Sequence, residues 1–226
     1  MPARPVVSTG NQARCGASPT HSTDSGPMAV LIGVKVGQKR ERSAVCVAEN
    51  PKRYVEQRAE YHFVVRYLER LPAGVTLPAV ADRLAEIVRR VGARSGDPRR
   101  LYVDATGLGQ PVMDLINSRI KTTAILPVYF NHGDRRNADW EQIKLGKAFL
   151  VSRLQMLLQS ERLHLPKNDQ AETLAQELLE YEIKVENDAN ERYGAFRVGT
   201  RDDMVTALGL AVQDDGAPTN SFMRAW

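Results

Sequence analysis

The feature that most constrains the fold of this chain is the stretch from Leu101 to Ile116, with the sequence LYVDATGLGQPVMDLI. An apolar run ends in the carboxylate of Asp104, and a glycine-rich turn follows. Pro111 then stands in the first turn of a predicted helix, where proline loses no hydrogen bond. Because ligands of open α/β sheets gather at the carboxyl ends of strands, the stretch predicts a strand–loop–helix unit with a functional acid. Taken alone, Asp104 could equally be a turn-forming residue.

The order of the predicted elements indicates an α/β fold. Three strands over residues 30–36, 43–49 and 61–68 are joined by short loops, which predicts an antiparallel meander. The later elements are a helix capped by Thr76, a polar loop over 92–100, the strand ending at Asp104, a helix over 111–120, a strand over 124–130, a polar loop over 131–139, helices over 143–159 and 169–183, a strand over 193–198 and a helix over 201–212. This order predicts a mixed sheet with helices on both faces.

Composition divides the chain into one predicted domain and two predicted tails. Residues 1–27 are rich in Pro, Ser, Thr, Gly and Ala and predict a disordered tail. Residues 28–213 predict the folded domain, and residues 214–226 predict a loose C-terminal tail. The two cysteines form no CxxC pair, and no apolar stretch approaches the ~20 residues of a membrane helix. We therefore expect a protein of the reducing cytoplasm with no membrane partner.

The basic residues permit a nucleic-acid partner, since the net charge is +4. They cluster in the first hairpin turn, in the loop over 131–139 and at the start of the helix predicted over 143–159. Each cluster alone is typical of a solvated face, whereas together they would line a groove for a phosphate backbone. The residues are Lys39, Arg40, Arg42, Arg135, Arg136, Lys144 and Lys147. His132 and His164 have no partner at metal-ligand spacing and are not predicted to be ligands.

Two adjacent acids, Asp202 and Asp203, open the last predicted helix, RDDMVTALGLAV. In one interpretation Thr200 is the N-cap and Asp203 completes a capping box, with both carboxylates favoured by the helix dipole. In the other, functional interpretation, Asp203 shares a helical face with Ala207 and Ala211. Small residues there predict a helix lying close against the sheet, with Asp203 pointing at the sheet centre.

These segments together resemble the C-terminal nuclease domain of the large subunit of phage terminases, the DNA-packaging motor proteins. Four stretches carry the resemblance in the family's order, over roughly residues 30–213: LIGVKVGQKRERSAVCVAE, LYVDATGLGQPVMDLI, LGKAFLVSRLQMLLQSERLHLP and GTRDDMVTALGLAV. The resemblance implies a ribonuclease H-like fold and a phage or prophage origin. No P-loop pattern occurs in the chain, so the packaging ATPase would be a separate chain.

The resemblance also implies metal-dependent cutting of double-stranded DNA. Two Mg²⁺ or Mn²⁺ ions about 4 Å apart would activate a water molecule and neutralise the leaving oxygen, and several acids must hold them. Asp104 matches the middle-strand acid, and Asp202 and Asp203 match the acids of the last helix, with Asp203 favoured as the direct ligand. Glu41 matches a supporting acid in the first turn. Further implied partners are a small terminase subunit and the portal.

One position departs from the family pattern, because Lys35 stands in GVKVG where the first-strand acid belongs. Two unit charges 4 Å apart interact by about 4 kcal/mol at an effective dielectric of 20, and a divalent ion doubles this energy. The substitution would therefore turn an attraction of several kcal/mol into a repulsion. The lysine could move away, lose its proton on burial, or take the place of a metal ion and form a salt bridge with Asp203.

The sequence leaves three functions open. The first is a terminase-type endonuclease domain that either retains metal-dependent cutting or has been weakened or inactivated by Lys35. The second is a non-catalytic DNA-binding or packaging-complex module on the same fold. The third is a nucleotide-binding protein that uses Asp104 and the turn of Gly107 and Gly109 around phosphates, and the chain is short for that architecture.

Overall fold

The computed structural model describes residues 28–38, 41–55, 58–95, 99–139, 141–185, 191–194 and 202–215. The strands are β1 (Val30–Lys35), β2 (Ala44–Glu49), β3 (Lys52–Val55), β4 (Arg58–Tyr61), β5 (Phe63–Arg70), β6 (Arg99–Asp104), β7 (Ala124–Asn131), β8 (Arg136–Ala138), β9 (Ile143–Gly146), β10 (Leu163–His164), β11 (Glu182–Val185) and β12 (Glu191–Gly194). The helices are α1 (Leu77–Arg94), α2 (Gln110–Arg119), α3 (Lys147–Gln159), α4 (Asp169–Glu180) and α5 (Asp203–Val212).

Eight of these strands form one mixed sheet in the order β10-β5-β2-β1-β6-β7-β9-β8. The chain pairs β1, β2 and β5 as an antiparallel meander, then continues with β6, β7 and β9 parallel to β1. The predicted meander and the predicted mixed α/β sheet are therefore confirmed. Parallel pairing brings the carboxyl ends of β1, β6, β7 and β9 to the same edge, because parallel strands run in one direction.

Helices cover both faces of the sheet, as predicted. Alternate residues of β1 point to opposite faces, so Ile32 and Val34 pack with α1 and α2, whereas Leu31 belongs to the core formed with α3, α4 and α5. Helix α1 begins as expected, with the Thr76 hydroxyl accepting a hydrogen bond from the Ala79 N–H. Both layers bury apolar side chains, and the layers differ only in how close their helices approach.

Helix α5 lies directly on the centre of the sheet, against Gly33 of β1. A Cβ atom at Gly33 would stand 2.1 Å from the Ala207 carbonyl oxygen and 2.5 Å from the Ala211 nitrogen. Only glycine permits this contact between the backbones, since any side chain would displace the helix. The close approach expected from the small residues of α5 is therefore confirmed.

Several predicted boundaries were wrong, most clearly at the start of the helix predicted over 143–159. Residues Ile143–Gly146 are strand β9, because Ile143 and Leu145 alternate as buried residues and pair with β7. Part of the loop predicted over 131–139 is strand β8, which pairs with β9. Period-two burial over four residues is too short to separate from the helical pattern that follows it.

Other differences concern the ends of helices and strands, and one hairpin that was not predicted. The polar strands β3 and β4 form a hairpin that the sequence did not indicate. Helix α1 and strand β6 occupy both ends of the loop predicted over 92–100, and the helix predicted over 169–183 ends at Glu180 before β11. The predicted strand over 193–198 is described only at its start, in β12. No helix in the described part of the chain combines the length and the apolar character needed to cross a membrane.

Candidate functional site

A row of four side chains crosses the sheet beneath the start of α5. Lys35 pairs with Ala44, and Ala44 pairs with Arg70, in the antiparallel register of β1, β2 and β5. On the other side, Lys35 contacts Asp104 of β6. Residues directly opposite each other on neighbouring strands share a face, and Gly33 shows that this face carries α5. The row therefore reads Arg70, Ala44, Lys35, Asp104, with the small Ala44 between two cations.

Lys35 forms an ion pair with Asp104. Its Nζ atom lies 2.8 Å from Asp104 Oδ2, and the lysine side chain is 22% exposed against 3% for the aspartate. The other carboxylate oxygen, Oδ1, accepts a hydrogen bond of 2.9 Å from the Thr106 N–H. Asp104 is thus engaged on both oxygens, by a cation and by the backbone of the following turn.

Lys35 keeps its charge in this environment. Burial lowers the pKa of Lys35, but the neighbouring Asp104 carboxylate, assisted by Glu41 and Asp202, more than offsets this effect and raises the pKa above its usual value. Glu41 is exposed, and one of its oxygens accepts from the Gln38 N–H at 3.4 Å. Lys35 therefore stands as a permanent cation among three of the four acids that the sequence proposed as metal ligands.

The fourth acid, Asp203, forms its ion pair elsewhere. Its Oδ2 atom lies 3.3 Å from Nε of Arg70, and the same guanidinium contacts Glu177 of α4. The three side chains are 11%, 6% and 9% exposed for Arg70, Glu177 and Asp203. One of the alternatives left open by the sequence was a salt bridge from Lys35 to Asp203; Lys35 instead pairs with Asp104, and Arg70 pairs with Asp203.

Glu177 also caps helix α5 from outside the helix. Its Oε2 atom accepts hydrogen bonds from the N–H groups of Met204 and Val205, at 2.9 and 3.3 Å. Asp202 is the N-cap residue but makes no capping hydrogen bond with its side chain. The expected capping box used Thr200, which lies outside the described residues. The Glu177 carboxylate of α4 instead accepts hydrogen bonds from the free N–H groups at the start of α5. The helix dipole favours a negative charge at this position.

The turn after Asp104 depends on two glycines. Gly107 and Gly109 have φ angles of 74° and 73°, a left-handed conformation that favours glycine. The Thr106 hydroxyl accepts a hydrogen bond of 2.8 Å from the Phe130 N–H of β7, which fixes the turn against the neighbouring strand. These two glycines therefore serve the turn itself, one of the two interpretations considered from the sequence.

The predicted DNA-binding residues fall into different environments. Arg135 is 86% exposed and Lys144 is exposed on β9, while Arg42 is half-buried. Lys147 follows the carboxyl end of β9 with its Nζ atom 5.9 Å from the centre of the Phe130 ring. The Arg136 guanidinium is held inward by Asp214, at 2.7 Å. Lys39 and Arg40 lie outside the described residues.

The structure brings together side chains that the sequence did not single out. Arg70 of β5 contacts both Asp203 and Glu177 of α4, although neither Arg70 nor Glu177 lies in a recognisable sequence motif. His62 lies beside His164, with 3.0 Å between His62 Nδ1 and His164 Nε2, a contact between residues far apart in the sequence. Burial and nearby Arg53 lower the pKa of both rings. Only the pairing of β5 with β10 reveals this contact.

The donor set does not fit two divalent ions in this arrangement. Of the acids proposed as ligands, Asp104 is neutralised by Lys35 and Asp203 by Arg70. A metal ion would therefore compete with the Lys35 ammonium for Asp104 and with the Arg70 guanidinium for Asp203. Within the described residues, no group of three or more His, Cys, Asp or Glu side chains is placed to hold a metal ion.

Comparison with solved structures identifies the fold. The nuclease of the large terminase from thermophilic phage G20c, with bound magnesium, has a TM-score of 0.60 at 18% identity, covering 87% of this chain and 83% of that chain. The large terminase nuclease domain of Thermus phage P74-26 has a TM-score of 0.51 at 17% identity, covering 81% and 78%. The manganese-soaked terminase nuclease domain of human cytomegalovirus has a TM-score of 0.52 at 16% identity, covering 85% of each chain.

No protein-family model and no curated protein sequence matches this chain. The structural likeness extends over most of the chain and over most of each neighbour, and it agrees with the resemblance found in the sequence motifs. The chain therefore has the ribonuclease H-like fold of the terminase nuclease domains.

Proposed function

We propose that this chain is a terminase-type DNA nuclease domain of phage or prophage origin whose metal-dependent cutting is suppressed by Lys35. The single observation that carries the proposal is the Lys35–Asp104 ion pair of 2.8 Å at the carboxyl edge of the sheet. The fold supports the nuclease class, and the ion pair supports the suppression. Cofactor use would follow the solved neighbours, which carry bound magnesium or a manganese soak.

The suppression follows from charge. A divalent ion 4 Å from the Lys35 ammonium would be repelled by about 8 kcal/mol at an effective dielectric of 20, twice the interaction of two unit charges. Without a metal ion Lys35 is protonated, because the Asp104 carboxylate outweighs the effect of burial and raises the pKa of Lys35. Metal binding therefore requires the ammonium to leave the Asp104 carboxylate, which is 3% exposed and would lose its ionic partner.

Double-stranded DNA is the proposed partner. Arg135 and Lys147 lie next to the carboxyl end of β9 and Lys144 lies within β9, and this end is at the same edge of the sheet as Asp104. Phosphate contacts by such side chains bind without reading sequence and weaken as salt concentration rises. The setting would be a packaging complex in the cytoplasm of a bacterial host.

Cleavage of supercoiled plasmid with Mn²⁺ or Mg²⁺ tests the proposal. We expect Lys35→Asp to cut at least about 100-fold faster than the wild-type chain, equivalent to about 2.7 kcal/mol of barrier. The matched control is Lys35→Asp combined with Asp104→Ala, which should lose the gained activity. Wild-type cutting that disappears in Asp104→Ala would show instead that Lys35 is tolerated. Failure of the wild-type chain, of folded Lys35→Asp and of folded Lys35→Asp/Arg70→Gln to cut would overturn the nuclease class.

The same ion pair favours a second candidate, a non-catalytic DNA-binding or packaging-complex module. In this case the cation–acid pair stabilises the fold, and the chain contributes DNA or protein contacts beside a packaging ATPase, a small terminase subunit or a portal. Salt-dependent binding of a DNA duplex by wild-type and Lys35→Asp alike, with cutting by neither, distinguishes this candidate.

A further inference from the structure

The start of helix α5 contains a second cation–acid pair, separate from Lys35 and Asp104. We infer that Arg70, together with Glu177, holds Asp203 in an ion pair that must be released before Asp203 can serve as a metal ligand, so that replacing Lys35 alone rebuilds only part of the site. The inference rests on the proposed function, and it assigns Arg70 and Glu177 as positioning residues.

The geometry gives Asp203 a defined partner. Arg70 is the last residue of β5, and its Nε atom lies 3.3 Å from Asp203 Oδ2. The same guanidinium contacts Oε1 of Glu177, whose other oxygen accepts hydrogen bonds from the N–H groups of Met204 and Val205. One chain of contacts thus joins β5, α4 and the first turn of α5, and it holds the backbone of the two residues that follow Asp203.

Because these three side chains are buried, each charge needs a charged partner. The three charged side chains are at most 11% exposed, so water cannot replace a missing partner. Removing the Arg70 charge would leave two carboxylates, Asp203 and Glu177, without their shared cation. Such a pair of acids attracts a cation from solution, because each would otherwise be buried without compensation.

The register explains why one substitution is insufficient. Arg70 and Lys35 lie on the same row, on the two strands that flank the strand of Ala44. Each forms an ion pair with an acid proposed as a metal ligand. Lys35→Asp frees Asp104 and supplies a new carboxylate. It leaves the Arg70–Asp203 pair unchanged, because Arg70 is held by Glu177 and not by Lys35.

Binding of Mn²⁺, measured from the electron paramagnetic resonance signal of the free ion, tests the inference with four full-length variants. They are Lys35→Asp, Lys35→Asp/Asp203→Asn, Lys35→Asp/Arg70→Gln and Lys35→Asp/Arg70→Gln/Asp203→Asn. We expect Asp203→Asn to change the Mn²⁺ Kd less than about twofold while Arg70 is present, and to weaken binding at least about tenfold once Arg70→Gln is made. Lys35→Asp/Arg70→Lys is the conservative control and should behave as Lys35→Asp.

The outcomes separate the inference from the proposed function. If Asp203→Asn weakens Lys35→Asp tenfold with Arg70 intact, Asp203 is already a ligand and the inference is overturned while the nuclease proposal stands. If Asp203→Asn has no effect in either background, Arg70 is purely structural and the inference is also overturned. If neither Lys35→Asp nor folded Lys35→Asp/Arg70→Gln binds Mn²⁺, both proposals fail.

A second measurement covers the case in which Arg70→Gln prevents folding without metal. Thermal unfolding of Lys35→Asp/Arg70→Gln is compared in EDTA and in Mn²⁺, with the Asp203→Asn triple variant beside it. We expect Mn²⁺ to raise the Tm of the double variant and not that of the triple variant, since a ligand that binds only the folded state stabilises it. Equal responses of the two variants would overturn the inference.

Discussion

Two arginines, Arg70 and Arg83, form networks at the end of β5 on opposite faces of the sheet. Each arginine engages two carboxylates: Glu177 and Asp203 for Arg70, and Glu69 and Glu86 for Arg83. The members of the Arg83 network are 22% to 31% exposed, whereas those of the Arg70 network are 6% to 11% exposed. Each network joins one arginine to two carboxylates, and the two networks differ in their access to water.

This difference explains why the acids of the candidate site are paired with cations of the protein. On the side of α1, water can solvate Glu69 or Glu86 if Arg83 moves, so that network is adjustable. On the side of α5, the three charged side chains are at most 11% exposed, and a charge there needs a partner within the protein. Burial, not charge content, distinguishes the two networks.

The largest expected effect is the loss of the buried arginine. Arg70→Met should lower the free energy of unfolding by about 3–5 kcal/mol, because it leaves Glu177 and Asp203 buried without a cation. Arg83→Met is the matched control and should cost several-fold less, since its carboxylates remain solvated. Urea denaturation of both variants measures the contrast, and equal losses would break the comparison.

The next effect concerns the approach of α5 to the sheet. Gly33→Ala should cost about 3 kcal/mol, because its Cβ would overlap the backbone of Ala207 and Ala211. Ile32→Val, one residue away and facing α1, is the control and should cost about 1 kcal/mol. Similar losses for the two variants, again from urea denaturation, would show that α5 shifts easily and that its close packing does not hold the charges.

A smaller effect is expected from the histidine pair, His62 and His164, when the pH is lowered. Burial and the nearby Arg53 and Arg162 lower the pKa of His62, and burial and Arg53 lower the pKa of His164. The folded state therefore binds fewer protons than the unfolded state, and stability is lost as pH falls below about 6.5. Glu60 and Glu161 also face the pair and partly offset this loss.

The measurement is the Tm of the wild-type chain and of His62→Gln/His164→Gln between pH 7.5 and pH 5. We expect the wild-type Tm to fall more steeply over this range, because only the wild-type chain must protonate the two rings. A parallel decline of both proteins would assign the pH dependence to other groups.

The smallest effect is expected at an exposed ion pair. Arg119 and Asp82 lie 2.7 Å apart but are 44% and 61% exposed. Arg119→Met should change the free energy of unfolding by less than about 1 kcal/mol, as is usual for solvated pairs. A loss comparable to that of Arg70→Met would show that burial does not separate the networks.

Much of the framework could be predicted from local pattern. Three consecutive predicted strands joined by short loops indicated the meander of β1, β2 and β5, and the Thr76–Pro78 start of α1 was correct. The four-residue strand β9 was missed because a helix follows it without a break, and the polar hairpin of β3 and β4 carries little apolar signal. Pattern predicts long, strongly periodic elements and fails where an element is short or is formed mainly by backbone pairing.

The candidate site divides in the same way. The sequence by itself determined Asp104 at a strand end and Asp203 on the small-residue face of the last helix, because each of these follows from position within one element. The resemblance to the terminase family, not local pattern, drew attention to Lys35. Only the tertiary structure decided that Lys35 pairs with Asp104, and that Arg70 and Glu177 take Asp203. These partners come from strands and helices far apart in sequence, and strand register and burial, which no local pattern encodes, bring them together.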